Sequence, residues 1–352
     1  MECLLIADDL TGACDAGVQF SANGRRVLVA LDMAAAAPNV DVLAVSTESR
    51  GLSLEGGRQA IMAIASRLAE TQARILFKKI DSTLRGNVGA EIAATISAFG
   101  CDVAVITPAF PAMKRIVADG WLRVEGSAEF APIELGPYLR AQSLDAHRHI
   151  CANAVCDADL DALVETMANS KGRLLWAGSA GLAAALARSI SSGGEKAARP
   201  APHKGPVLFC IGSTHAATVA QCRCLLAQRP VCVLSADDAE PGSPADALRH
   251  GLNVMLEIPR GRIPEERIAE LLSGTREFAG ALALSGGDTA SHVCRALRGR
   301  SIELHDEVEA GIPWGTLHGG AMDGIAVATK SGGFGDSGAL IAITDFFACH
   351  KA

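Results

Sequence analysis

The chain has 352 residues, 49% of them hydrophobic and 20% charged, with a formal net charge of -7. That length suits two domains with separate cores, the composition argues against disorder, and the acidic balance argues against a nonspecific nucleic-acid binder, which needs a basic footprint. Eleven cysteines at irregular spacing point to reduced thiols in a cytoplasmic protein rather than a disulfide framework, and none shows the paired spacing of a structural zinc site. No stretch reaches the ~20 apolar residues of a membrane helix, and Glu2 with a short apolar run does not read as a signal peptide.

The first predicted elements surround Leu4-Leu5-Ile6-Ala7-Asp8-Asp9-Leu10-Thr11-Gly12-Ala13-Cys14-Asp15. An apolar run, two carboxylates, Thr-Gly and an Ala-rich periodic stretch read as strand, acidic turn and helix. Adjacent like charges repel, so a pair held at the carboxyl end of a strand points to a cationic partner or ligand. One of the two suits the helix N-cap, and Asp9, nearer the turn, is the one expected to face a ligand. The helix stops at Asn23-Gly24. Strands over 26–31 and 41–47, a helix over 54–72 and a strand from Ile75 give the order β, α, β, β, α, β of an α/β domain with a largely parallel sheet.

That strand runs into Lys78-Lys79-Ile80-Asp81-Ser82-Thr83-Leu84-Arg85-Gly86-Asn87, the densest polar cluster in the chain. Arg85 can grip a carboxylate or phosphate in bidentate fashion, and Ser82 and Thr83 can bond hydroxyls. A polyhydroxylated acid suits both. After a helix beginning near Val88, a strand over 102–107 ends at Pro108-Ala109-Phe110-Pro111, and the chain passes Lys114 and Arg115 to a hairpin at Trp121–Val124. Residues 126–150 read as irregular. A helix over 157–168 and a strand from Arg173 lead into Gly178-Ser179-Ala180-Gly181. Ala177 stands where a hydrolase nucleophile elbow has its first glycine, so these glycines are expected to let the next helix pack close to the strand.

Residues 191–206, rich in Ser, Gly, Ala and Pro, lack apolar periodicity and read as a linker. The expected domains are 1–192 and 207–352, joined by 193–206. The second half repeats strand, glycine turn and helix: Gly212-Ser213-Thr214 follows a strand over 207–211, Ser285-Gly286-Gly287-Asp288-Thr289 follows one over 281–284, and Lys330-Ser331-Gly332-Gly333-Phe334-Gly335 closes one over 325–329. Glycines ahead of a helix N-terminus let backbone N–H groups converge on an anion. No Walker A spacing occurs, and Gly333-Phe334-Gly335-Asp336-Ser337-Gly338 lies too near the last residue for a dinucleotide-binding βαβ unit.

Taken together and in order, Ala7 to Ala13, Lys78 to Asn87, Pro108 to Pro111, Gly178 to Leu182, Ser285 to Thr289 and Lys330 to Gly335 resemble the four-carbon acid sugar kinases, and the Lys-Lys-Ile-Asp-Ser-Thr-Leu-Arg-Gly stretch is most like the threonate and erythronate kinase branch. The resemblance implies two α/β domains, each a largely parallel sheet flanked by helices, with an active site in the cleft between them. It implies a sugar-acid side of Asp8, Asp9, Lys79, Asp81, Ser82 and Arg85, and a nucleotide side of Ser213, Gly286, Gly287, Asp288, Thr289, Gly332, Gly333 and Gly335. ATP is the expected cofactor, with Mg²⁺ carried on its phosphates. The expected partners are a small sugar acid and ATP, without nucleic acid or membrane, and a homodimer is admitted. The chain departs from the family in being shorter than usual and in carrying Met113-Lys114-Arg115-Ile116 after the Pro-Ala-Phe-Pro loop.

Among these residues Arg85 and Lys79 are expected to hold the carboxylate or the transferring phosphate, and Asp9 or Asp81 to orient and deprotonate the attacking hydroxyl, with Asp9, Asp81 and Arg85 the catalytic set. The competing reading is a non-catalytic acid-sugar or nucleotide sensor on the same scaffold. A serine hydrolase using Ser179 or Ser285 lacks both an elbow and a placed Asp-His pair.

Overall fold

The computed structural model describes residues 1–33, 40–68, 71–127, 129–190, 205–259, 261 and 263–348. Residues 193–204 of the expected linker therefore lie outside the described residues. The chain divides into two compact units, Met1–Val27 with Pro38–Lys196, and Leu28–Ala37 with Ala197–Ala352. The short segment Leu28–Ala37 is thus grouped with the distant second half, which no linear reading anticipates. Among the described residues no helix is long and apolar enough to cross a membrane, and the cysteines are free thiols.

The first unit begins with β1 (Cys3–Ala7), α1 (Leu10–Ala22) and the start of β2 (Val27–Ala30), then β3 (Val42–Ser46), α2 (Leu54–Leu68), β4 (Ile75–Lys79), α3 (Val88–Phe99) and β5 (Val103–Thr107). A small antiparallel sheet follows, β6 (Arg115–Ala118), β7 (Trp121–Val124) and β8 (Ile133–Glu134), and then α4 (Leu135–Arg140), β9 (His149–Cys151), α5 (Asp157–Met167), β10 (Leu174–Gly178) and α6 (Ala180–Ser189). The main sheet has the order β3-β1-β4-β10-β5-β9, parallel throughout. All five residues of β1 and of β4 are buried, as central strands covered on both faces must be. Helix α1 packs with α6 and α5 with α6, while α2 packs with α3 and α3 with α4, one group to each face. The chain leaves β1 toward α1 and leaves the adjacent β4 toward α3. That divergence is a topological switch point, where a crevice opens at the carboxyl ends of the strands.

Two sequence expectations are corrected here, and the hairpin expected at Trp121 is present. Residues 126–150 contain β8, α4 and the start of β9, elements of two, six and three residues, too short to display a period. The described helix from Leu54 runs to Leu68, and Thr71 and Gln72, expected within it, are not helical. The hairpin at Trp121 pairs with Arg115–Ala118 through Asp119 and Gly120, both at positive φ, the turn that matches strand twist. At Gly178 an added Cβ would lie 2.7 Å from Leu182 Cδ2 and from the Thr107 carbonyl, so the close helix packing expected there is present.

The second unit continues with β11 (Val207–Ile211), α7 (Ala216–Gln228), β12 (Val231–Ser235), α8 (Ser243–Arg249), β13 (Asn253–Glu257), α9 (Glu265–Leu272), β14 (Ala281–Ser285), α10 (Gly287–Ala296), β15 (Ser301–Glu309), β16 (Ile312–His318), β17 (Ala326–Lys330) and α11 (Ala339–Ala348). Its strand order is β12-β13-β11-β14-β17-β16-β15, parallel from β12 to β17, with β16 and β15 antiparallel. The β15–β16 hairpin is not legible as strands in sequence. Register shifts between Leu304 and Asp306 and between Glu307 and Glu309 break its alternation. Helices α7 and α11 pack together, as do α8 with α9 and α9 with α10. Phe209, Met255, Ile312, Trp314, Leu340 and Phe347 close one core of this unit.

Candidate active site

In the first unit the carboxyl ends of β1, β3 and β4 bring together residues distant in sequence. Asp9 is the N-cap of α1: Gly12 N–H donates to its Oδ1 at 2.7 Å, and Thr11 Oγ1 donates to its Oδ2 at 3.0 Å. The capping acid of the pair is thus Asp9, the one expected to face a ligand, and both of its oxygens are engaged within the protein. Gly12 is required here, since a Cβ would stand 2.6 Å from Asp9 Oδ1 and 3.4 Å from Lys79 Nζ.

The residue that organises the acids is Arg50, which the sequence reading missed. Its Nε and Nη2 donate to Asp8 Oδ2 and Oδ1, each at 2.8 Å, and its Nη1 donates to Asp9 Oδ2 at 2.5 Å and lies 3.7 Å from Asp81 Oδ2. The available signal was the polar stretch Thr47-Glu48-Ser49-Arg50-Gly51 directly after a buried strand, at the same sheet edge as the two acidic turns. Asp81 Oδ1 accepts from Thr83 N–H at 2.9 Å and from the Thr83 hydroxyl, while Oδ2 accepts from Arg85 Nη2 at 2.6 Å. Asp8, Asp9, Asp81 and Ser82 are buried, whereas the Arg85 side chain is 59% exposed.

Burial alone would raise the pKa of Asp8 and of Asp81. For Asp8 the charge and hydrogen bonds of Arg50, with Lys78 and Lys79 behind them, outweigh it and hold the carboxyl below its usual range. For Asp81 the charges of Arg50 and Arg85 and the bonds from Arg85 and Thr83 push it far below that range. Arg115, at the start of β6, lies within the field of Asp81 and Asp15. The lysine pair is split by the alternation of β4. Lys78 pairs with Glu91 of α3 at 2.9 Å, both buried, whereas the Lys79 ammonium donates to the Ile80 carbonyl at 3.0 Å beside α1.

The second unit assembles its glycine loops on the adjacent strands β11, β14 and β17. Gly212 N–H donates to the Ser285 carbonyl at 3.4 Å, and Gly286 N–H to the Lys330 carbonyl at 2.9 Å. A Cβ at Gly212 would fall on Thr289 Oγ1, and one at Gly332 on Ser213 Oγ. Gly286 and Gly335 hold positive φ of 104° and 78°. Thus Ser213, Gly286, Thr289 and Gly332 meet, and Gly287 and Asp288 form the first turn of α10. Gly333 lies against the His215 ring. We expect Gly212→Ala to destabilise the second unit by about 1–3 kcal/mol through overpacking, as read by chemical denaturation.

The chain matches the family model of a sugar-binding N-terminal domain over residues 3–136 and that of a nucleotide-binding C-terminal domain over residues 212–340. It is 36% identical to a D-threonate kinase of Bordetella bronchiseptica, the match covering 96% of this chain and 95% of that one. The chain belongs to the four-carbon acid sugar kinase family. Other family relatives are a D-threonate kinase of Salmonella typhimurium, 30% identical over 97% of each chain, and a D-erythronate kinase of Heliobacterium modesticaldum, 27% identical over 97% of this chain and 96% of that one. The fold is shared with a crystallised Salmonella typhimurium LT2 protein, with TM-score 0.74 at 19% identity over 98% of this chain and 99% of that chain. It is also shared with a Haemophilus influenzae protein, with TM-score 0.70 at 22% identity over 98% of both chains. For this member of the acid sugar kinases, the carboxylate–guanidinium cluster lies in or beside the segment matched as sugar-binding, and the three glycine loops lie in the segment matched as nucleotide-binding.

Proposed function

We propose that the protein phosphorylates the terminal 4-hydroxyl of a four-carbon sugar acid, threonate or erythronate in preference to a 3-oxo-tetronate, with ATP as donor. The observation that carries this reading is the cluster of Asp8, Asp9, Arg50, Asp81 and Arg85 at the switch point of the first unit, in a chain similar over nearly its whole length to D-threonate kinases. Arg85, the exposed guanidinium of the cluster, receives the substrate carboxylate in bidentate fashion, and Ser82 bonds a substrate hydroxyl. Lys79 adds positive charge beneath the turn. Asp9 orients the attacking hydroxyl and accepts its proton. Asp81 is a weak base, because Arg85, Arg50 and Thr83 hold its carboxyl deprotonated, and it serves to fix Arg85.

ATP supplies the transferable phosphoryl group. Ser213, Gly286, Gly287, Asp288, Thr289, Gly332, Gly333 and Gly335 would hold its phosphates, since their loops meet where side chains are excluded. Mg²⁺ would ride on the nucleotide phosphates, where it neutralises charge during phosphoryl transfer.

A coupled ADP-release assay with threonate and erythronate stereoisomers tests the reading. Turnover with at least one is expected, and saturable binding without turnover of any would make the protein a sensor. Asp9→Asn is expected to lower kcat by about 10²-fold or more, and Asp81→Asn to raise the sugar-acid KM more than it lowers kcat. Retention of wild-type turnover within about tenfold by both variants, less than general-base loss costs, would show the base to lie elsewhere.

A further inference from the structure

Lys330 is an unusual cation. It ends β17 with 2% exposure, and among the described residues no carboxylate pairs with it. Its ammonium instead donates to uncharged oxygens: the carbonyls of Ser331 at 3.0 Å, Phe334 at 3.2 Å and Gly332 at 3.4 Å, and Thr218 Oγ1 at 3.3 Å. Gln221 of α7 completes the set, its Nε2 donating to the carbonyls of Phe334, Gly335 and Asp336 at 2.9, 3.0 and 2.8 Å. Thr218 Oγ1 also donates to the Gly332 carbonyl at 2.8 Å. Five carbonyls of the loop thus point inward to two side chains of α7 and one lysine.

In a trans peptide the carbonyl and the following N–H point in opposite directions. Drawing in the carbonyls of Ser331, Gly332, Phe334, Gly335 and Asp336 therefore turns the N–H groups of Gly332, Gly333, Gly335, Asp336 and Ser337 outward. Among the described residues none of those five amides donates to a protein acceptor. We propose that Lys330 is a positioning residue of the nucleotide site, a buried staple that holds the Ser331–Asp336 carbonyls inward so that the loop presents its amides to the nucleotide phosphates. This rests on the assignment of these loops to ATP.

The staple works only while protonated. A neutral amine has one donor fewer and turns a lone pair toward carbonyl oxygens. Burial pushes the Lys330 pKa down to about 8, with Cys222 of α7 the titratable group whose charge opposes the shift. Burial raises the Cys222 thiol, and Glu257 at the end of β13 acts in the same direction on that thiol. Because the shift is downward, the ammonium is present below about pH 8 and is lost as pH rises through it. Bound phosphate favours the charged form, so nucleotide binding near pH 8 takes up a proton.

The test is calorimetric titration of MgADP into the wild type, Lys330→Met, Lys330→Gln and Cys222→Ser at pH 7.5 and 9.0. The wild type is expected to weaken by about eightfold between the two pH values, as the ammonium fraction falls from about three quarters to about one tenth. Both Lys330 variants should bind at least about tenfold more weakly at pH 7.5, the size of one lost charge-assisted contact, and show no pH slope. Cys222→Ser should keep the slope. A wild-type profile flat in pH overturns the proposal without recourse to any variant, as does a Lys330 variant that retains wild-type affinity and slope. A wild type that binds no MgADP but still binds the sugar acid instead removes the nucleotide assignment of the second unit, and the staple with it.

Discussion

Arg50→Met should abolish sugar-acid turnover, lowering kcat/KM by about 10³-fold or more, the scale on which preorganised donors act. Arg50 joins Asp8 and Asp9 to Asp81 through one guanidinium. Methionine fills most of its volume but removes the guanidinium that bridges three buried carboxylates, leaving Arg85, Lys78 and Lys79 as the neighbouring cations. The loss falls on stability as well, by about 3–5 kcal/mol at neutral pH, because it leaves buried charge uncompensated. The dependence on pH separates the two effects. In the wild type Asp8 and Asp81 lie below their unfolded values, so their stabilisation is present above about pH 4 and disappears as pH falls below it. In the variant, desolvation and mutual repulsion raise the same carboxyls, so its deficit should shrink as pH is lowered from 7 toward 5. Urea denaturation at those two pH values, alongside steady-state kinetics at pH 7, gives both readouts. Near wild-type kcat/KM in a folded Arg50→Met protein would mean that the three acids need no organising cation.

Lys78→Met is expected to destabilise the first unit by about 3–5 kcal/mol, since it strands the buried Glu91 carboxylate. The Lys78 and Glu91 side chains are 0% and 1% exposed. Glu91 also accepts a hydrogen bond from Ser49 Oγ at 2.8 Å, and Ser49 precedes Arg50, whose N–H donates to the Asp8 carbonyl at 3.3 Å. Disturbing the pair therefore reaches the site through the turn that carries Arg50. The double variant Lys78→Met/Glu91→Leu should recover most of the stability, because no charge remains buried, and a thermodynamic cycle from chemical denaturation measures the coupling. Additivity of the two single losses would show that the pair is not coupled.

Sequence alone determined the elements whose residues announce their own environment. The buried runs of β1, β4, β5, β11, β14 and β17 are apolar because both faces of a parallel sheet are covered, and each is closed by a polar or glycine turn. For that reason Asp8, Asp9, Asp81, Arg85 and the loops at 212, 286 and 332 stood out without coordinates as polar or glycine clusters at strand ends, and their division into a sugar-acid side and a nucleotide side is what the resemblance to the acid sugar kinases implies. Elements with weak local signals were not legible: α4 and β9 are too short to show a period, and the β15–β16 hairpin hides its alternation behind shifts of register.

What only the tertiary structure decided were matters of direction and partnership. Lys78 and Lys79 are chemically alike and adjacent, and strand alternation sends one to Glu91 of α3 and the other toward α1. Arg50 stands 42 residues from Asp8 and 31 from Asp81, and nothing in its neighbourhood shows that its guanidinium bridges both. Lys330 reads as the first letter of a glycine motif, yet the staple role proposed for it depends on Thr218 and Gln221 of α7, distant in sequence. A sequence states which charges exist and where each strand ends. Which charges share a low-dielectric space is set by the order of the strands, and that sharing fixes their protonation and their chemistry.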